Sequence, residues 1–217
     1  MAECPAVPVI GLIGGIGSGK SSVAREFART GSAVVLDADH AGHLALEQAD
    51  IKSRIRSRFG AEVFDSEGKV LRKQLAQLVF GSSSRHRQAL HDLEQILHPA
   101  IREVFDRAIE QARAEGTAEV ILLDAAVLLE AGWQDRCDAV VFVNTPPAIR
   151  RERILIKRGW SEEELQRREA SQLSLEEKQR RSDYHLDNSG SLADASRQLG
   201  QFISQTVARC REQSGSS

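Results

Sequence analysis

Eight consecutive residues, Gly14-Gly15-Ile16-Gly17-Ser18-Gly19-Lys20-Ser21, satisfy the pattern G-x-x-x-x-G-K-[ST]. Each residue type answers a need of phosphate binding. Glycines allow positive φ and bring successive backbone N–H groups close to phosphate oxygens. A helix opening at Lys20 adds the positive end of its dipole. The Lys20 ammonium can reach the terminal phosphates of a nucleoside triphosphate, and the Ser21 hydroxyl is placed to coordinate Mg2+. A glycine-rich turn without a ligand is the plain alternative. The apolar run before the motif and the helical spacing after it are the context that phosphate binding requires.

Carboxylates follow at two places. Asp37 and Asp39 come after a second apolar run, and Asp124 comes after a third. Alternate residues of an extended segment point the same way, so Asp37 and Asp39 are expected to face the nucleotide side together. Asp124 is either part of the metal's water shell or a turn former and helix cap.

The elements that must position these residues are legible as continuous apolar runs: Val7 to Ile13, Ala33 to Leu36, Val120 to Leu123 and Ala139 to Val143. Unbroken rather than alternating apolarity suits strands of a parallel sheet covered on both faces. A fifth run, Tyr184-His185-Leu186, is too short to assign. Between the runs lie helical spacings marked by Val23, Phe27 and Ala28, by Ile51, Ile55 and Phe59, and by Ile101, Val104, Phe105 and Ile109. Strand alternating with helix predicts an α/β fold with right-handed crossovers.

Leu36 to Val120 is too long for one crossover helix. The segment reads as helices over about 44–59, 70–80 and 85–113, the last interrupted near His98-Pro99, and forms a helical insertion over about 44–113. A second segment, about 146–181, carries ten basic residues, including Arg150, Arg153, Lys157, Arg158, Arg168 and Lys178. Gly159-Trp160-Ser161 divides it into two helices, and Ser161 with Glu164 has capping-box spacing. This segment has the character of a lid over a nucleotide. Most of its charges are expected on solvated helix faces, with one or two reaching the reacting centre.

At 217 residues the chain suits one α/β domain with insertions, and 41% hydrophobic with 28% charged residues is ordinary for a soluble protein. A net charge of -2 gives no electrostatic reason to expect nucleic acid or an anionic membrane as partner. Cys4, Cys137 and Cys210 show neither metal nor disulfide spacing, which points to a reducing cytoplasm. The stretch from Met1 to Pro8 has no signal-peptide pattern, no run is long enough to span a bilayer, and the polar end from Glu212 to Ser217 is expected to fray. Oligomeric state is not legible.

The phosphate loop alone does not name a reaction. Asn144-Thr145-Pro146-Pro147 offers no guanine-reading Asn-Lys-x-Asp, and Asp124-Ala125-Ala126-Val127 offers no Asp-x-x-Gly switch, so a GTPase is excluded. A kinase for a small hydroxyl acceptor, such as a nucleoside or a sugar acid, and a slow nucleotide-gated ATPase remain open on these grounds.

Further elements occur in a specific order: Asp37-Ala38-Asp39, Val79-Phe80, Leu97-His98-Pro99-Ala100-Ile101-Arg102, Leu128-Leu129-Glu130, Arg153, Arg168 with Gln172, and Asp183 with Asp187-Asn188. In this order, over nearly its whole length, the sequence resembles the dephospho-CoA kinase family. The resemblance implies a three-layer α/β/α P-loop fold with an ATP-binding core, a helical CoA-binding insertion and a lid. It implies transfer from ATP, with Mg2+, to the 3′-hydroxyl of dephospho-CoA. It further implies that Asp39 accepts the hydroxyl proton, that Lys20 and Arg153 act on transferring phosphate, and that Asn188 lies near the adenine. The nucleotide-binding set is then Gly14, Gly15, Ile16, Gly17, Ser18, Gly19, Lys20, Ser21 and Ser22 with Asn188, and Ser21 is the metal ligand. His98 either lines the CoA side or caps a helix. Ile13, Ser22, His43, Ala126 and Lys157 depart from residues frequent in the family; lysine at 157 keeps charge but loses the planar fork of arginine.

Overall fold

The computed structural model describes residues 7–81 and 83–214. Residues 1–6, which include Cys4 and most of the N-terminal stretch read above, lie outside the described residues, as do 82 and 215–217. Five strands form one sheet: β1 (Val9–Ile13), β2 (Ala33–Asp37), β3 (Val120–Asp124), β4 (Ala139–Asn144) and β5 (Tyr184–Asp187). They lie in the order β2-β3-β1-β4-β5, and every pairing is parallel. The short fifth run is therefore a strand. It is held to β4 by Asp183, whose carboxylate accepts from the Val140 N–H at 2.8 Å while its own N–H donates to the Val140 carbonyl.

Strand residues divide by parity between two cores, which is why both parities had to be apolar. Ile10, Leu12, Val120, Leu122, Val141 and Val143 face α1 (Lys20–Thr30) and α9 (Leu192–Ser214), packing with Val23, Ala24, Ala195 and Leu199. Val9, Ile13, Ile121, Leu123, Val140 and Phe142 face the other way, toward α2 (Ala38–Ala45), α3 (Ala49–Phe59), α4 (Arg72–Val79) and α5 (Ser84–Glu115). The architecture is three-layer α/β/α. Among the described residues no helix is long and apolar enough to cross a membrane.

Three helical readings need correction. The single helix expected over 44–59 is two, α2 and α3, parted at 46–48. The interruption expected at His98-Pro99 is absent, and α5 runs straight through. Pro99 sits on the exposed side, where the missing N–H costs least, while buried Ile96, Ala100, Ile101 and Phe105 anchor the helix on both sides of it. Segment 146–181 holds three helices, not two: α6 (Pro147–Arg158), α7 (Glu162–Glu169) and α8 (Leu175–Arg180). Ser161 does cap α7, accepting from the Glu164 N–H at 3.3 Å, but the Glu164 carboxylate turns to Arg168 and not back to the cap. The helix α9 continues through Ser214, so the polar end begins inside a helix.

Gly11 in β1 has no room for a side chain: a Cβ there would lie 2.8 Å from Leu128 Cδ1 and 2.9 Å from Cys137 Sγ. Burial pushes the Cys137 thiol up to about 12. In a background of Cys4→Ser and Cys210→Ser, Cys137 is expected to stay unreactive toward a disulfide reagent at pH 8 until urea unfolds the chain, because little thiolate exists in the fold. Rapid labelling of native protein would contradict that placement.

Candidate functional site

The chain leaves β1 at Ile13 and turns through the glycine loop into α1, which opens at Lys20. Gly17 and Gly19 hold φ of 79° and 87°, a region that side chains with a Cβ avoid. Space is lacking as well: a Cβ on Gly17 would lie 2.7 Å from the Arg150 carbonyl oxygen, and one on Gly19 would lie 2.7 Å from Asn188 Nδ2. The loop is thus gripped from outside by α6 and by the segment after β5, leaving its inner side to a ligand.

That inner side opens on a cavity of about 780 Å³, bounded by the loop, the C-terminal ends of β2 and β3, the insertion helices and segment 146–181. Lys20 is only 8% exposed, and burial pushes its ammonium below the usual lysine range despite the opposing carboxylates of Asp124 and Asp39. Asp37 and Asp124 end neighbouring strands in register. Asp124 is buried beside Ser21 and is raised above the usual carboxylate range by burial. Asp37 and Asp39 both line the cavity, but not because the segment is extended. Asp37 is the cap of α2, its Oδ1 accepting from the His40 N–H at 3.1 Å, and Asp39 lies in the first helical turn.

The oxygen donors here, one hydroxyl and three carboxylates, match Mg2+ arriving with phosphates and keeping most of its waters. Among the described residues no cluster of three His, Cys, Asp or Glu offers a dedicated cage for another metal. The glycine cradle and buried lysine fit a nucleoside triphosphate in the same way.

Four basic residues of segment 146–181 reach the cavity wall. Arg153, Lys157, Arg158 and Arg168 all line it. Arg168 lies between two rings, its guanidinium 4.3 Å from the Phe80 centroid and 4.2 Å from that of Trp160. Two other members of the basic run are not solvated at all. Arg150 is buried, bonded to the Ile16 carbonyl and paired with Glu169. Lys178 is 1% exposed and donates to the Ala126 carbonyl at 2.7 Å and to Gln172 Oε1 at 3.0 Å, with Glu130 Oε1 3.0 Å away. Glu130 Oε1 also accepts from the Leu173 N–H at 2.8 Å, so this pair pins the far end of the segment to the loop after β3. Lys178→Met is expected to destabilise the fold by about 3 kcal/mol in urea unfolding, because Glu130 is left buried without its cation. Glu130→Gln, which leaves the still more buried Lys178 ammonium without its anion, should cost a similar amount.

Asn188 lines the cavity too, and its amide nitrogen is bonded to the glycine loop. It is 2% exposed, and its Nδ2 donates to the Ser18 carbonyl at 2.7 Å. The same carbonyl accepts from Thr145 Oγ1 at 2.9 Å and from Arg153 Nη1 at 3.2 Å. His98 caps nothing. It stands mid-helix in α5, edge-on to Trp133 with ring centroids 5.3 Å apart, and lines the cavity.

The sequence model of the dephospho-CoA kinase family matches residues 8–194. The chain belongs to the dephospho-CoA kinase family. A dephospho-CoA kinase of Corynebacterium diphtheriae is 42% identical over 84% of this chain and 89% of its own. That of Syntrophotalea carbinolica is 38% identical over 92% of each. A crystal structure from Thermus thermophilus superposes with a TM-score of 0.75 at 31% identity, covering 92% of this chain and 97% of that one. A shikimate kinase of Acinetobacter baumannii, at 16% identity and a TM-score of 0.53 over 92% and 94% of the two chains, shares the fold. As a member of the dephospho-CoA kinase family, the protein is a kinase of coenzyme A biosynthesis, which implies ATP as its nucleotide substrate.

Sequence reasoning missed Thr145, Arg25, Arg72 and Trp160 in or beside the site. Only Trp160 carried a local signal, as a large aromatic in an otherwise charged turn. Of the others, Thr145 is brought in by the end of β4, Arg25 by α1 and Arg72 by the insertion.

Proposed function

We propose that this dephospho-CoA kinase family member phosphorylates the ribose 3′-hydroxyl of dephospho-CoA with Asp39 as proton acceptor. The 3′-oxygen bonds to the γ-phosphorus of ATP, the bond from that phosphorus to the β–γ bridging oxygen breaks, and ADP leaves. The hydroxyl proton passes to the Asp39 carboxylate, late in a loose transition state, so orientation of the hydroxyl is the carboxylate's first task. Lys20 and the loop N–H groups from Gly14 to Ser22 hold the phosphates, and Arg153 approaches the transferring group from segment 146–181, the proposed lid. Mg2+ bound with ATP would neutralise phosphate oxygens, held by the Ser21 hydroxyl with Asp124 ordering its waters. The insertion over about 44–113 is the proposed CoA-binding part.

The observation that carries this reading is the convergence of Lys20, Asp39 and Asp124 on one cavity whose opposite wall is the insertion. ADP release from Mg-ATP is to be measured alone and with dephospho-CoA, adenosine or shikimate. Strong stimulation by dephospho-CoA alone, with CoA as product, is expected. Equal slow turnover under all conditions would refute the acceptor assignment and leave a nucleotide-gated ATPase.

A further inference from the structure

The Ser18 carbonyl collects three side-chain donors from three different elements. Thr145 lies just past the end of β4, Asn188 just past the end of β5, and Arg153 on α6. The β4–β5 pairing sets two of them side by side: Asn144 and Asp187 are in register, and the Asn188 N–H donates to the Asn144 carbonyl at 2.8 Å. Thr145 and Asn188 are 5% and 2% exposed, so neither hydrogen-bonding group is simply turned to solvent.

A trans peptide is planar, with its C=O and N–H directed oppositely. Drawing the Ser18 oxygen outward toward β4 and β5 therefore aims the Gly19 N–H inward. Among the described residues no protein acceptor takes that N–H. It lies one residue before the buried Lys20, on the cavity side of the loop. We propose that Thr145 and Asn188 are positioning residues for the nucleotide: they lock the Ser18–Gly19 peptide so that the Gly19 N–H donates to a phosphate oxygen of bound ATP or ADP.

The three bonds divide the work by length and mobility. Asn188 and Thr145 make the shorter ones and are fixed by the sheet. Arg153 makes the longest, and its other nitrogen reaches the Asn188 carbonyl oxygen at only 3.5 Å. Arg153 can therefore leave for the transferring phosphoryl group while the peptide stays locked by the two neutral donors. This inference rests on the phosphate-binding role proposed above for the loop.

The test is the ratio of ADP to adenosine affinity, measured by calorimetry on folded full-length protein. Thr145→Val keeps the shape and removes the donor. It is expected to weaken ADP about tenfold, as a charge-assisted bond loses alignment, while adenosine and dephospho-CoA affinities stay within twofold. Thr145→Ser restores the donor and should restore the ratio. A merely structural role would lower Tm without moving that ratio. Unchanged ADP affinity in Thr145→Val, or equal weakening of ADP and adenosine, overturns the proposal. If Thr145→Val does not yield folded protein, the same ratio on Thr145→Ala decides in its place. A wild-type protein that binds ADP no more tightly than adenosine would instead remove the phosphate-binding reading itself.

Discussion

Asp39→Asn is expected to lower phosphoryl transfer to dephospho-CoA by roughly 10²- to 10⁴-fold, with ATP affinity within about twofold of wild type. Asparagine has the same shape and can still orient a hydroxyl through its carbonyl oxygen. What it cannot do is accept the proton. The effect should therefore fall on kcat rather than on KM for either substrate. Asp39 is suited to this role by its place in the first turn of α2, where it faces the same cavity as Lys20 without being buried like Asp124. Asp37 is committed as the α2 cap, and Asp124 is buried. The measurement is single-turnover transfer after rapid mixing, beside equilibrium binding of ATP. A rate within tenfold of wild type would move the proton acceptor elsewhere, and unchanged ATP turnover would favour a hydrolase that needs no acceptor.

Lys20→Met should cost roughly 10²- to 10³-fold in transfer, the scale on which a preorganised charge at a developing anion is felt. Here ATP binding weakens too, since the ammonium meets phosphate in both ground and transition states. The substitution also has a signed consequence for stability. Burial raises Asp124 above its ordinary 3.8, and the Lys20 charge opposes that rise. A carboxylate with a raised folded pKa adds stability that is full below its unfolded value of 3.8 and disappears as pH climbs through the folded value. Without Lys20 the folded value moves higher, so the window of loss extends further toward neutral pH. As the pH is raised above 3.8, Tm of Lys20→Met should go on falling to a higher pH than that of wild type. A parallel pair of curves would mean that Lys20 and Asp124 do not feel each other across the cavity.

Much of this fold is readable along the chain because its determinants are local. The glycine loop needs residue types at fixed offsets, and the central strands need apolar side chains at both parities. The edge strand β5 is noticeable in the sequence but cannot be assigned from it, because it is short and only partly covered and is fixed by its pairing with β4 and by Asp183. Pro99 misled for the opposite reason, since a locally unfavourable residue is carried by burial on either side of it. The buried charges were the least legible. Nothing near Lys178 in sequence announces Glu130, and nothing near Arg150 announces the Ile16 carbonyl. A run of lysines and arginines looks alike whether its members are solvated, paired in the interior or aimed at a ligand.

The two tryptophans of this chain make it its own optical gauge. Trp133 is sealed in the core, edge-on to Phe105 and His98. Trp160 stands at the tip of the basic segment, with the guanidinium groups of Arg158 and Arg168 over its ring. Light emitted by Trp133 reports on the interior and the cavity floor. Emission from Trp160 depends on two cations, one of which is shared with Phe80 across the cavity mouth. Any displacement of the tip away from the insertion separates Phe80 from the stack and alters the field at Trp160. With Trp133→Phe in place, opening and closing of the cavity become visible in the colour and intensity of one residue, with no dye attached.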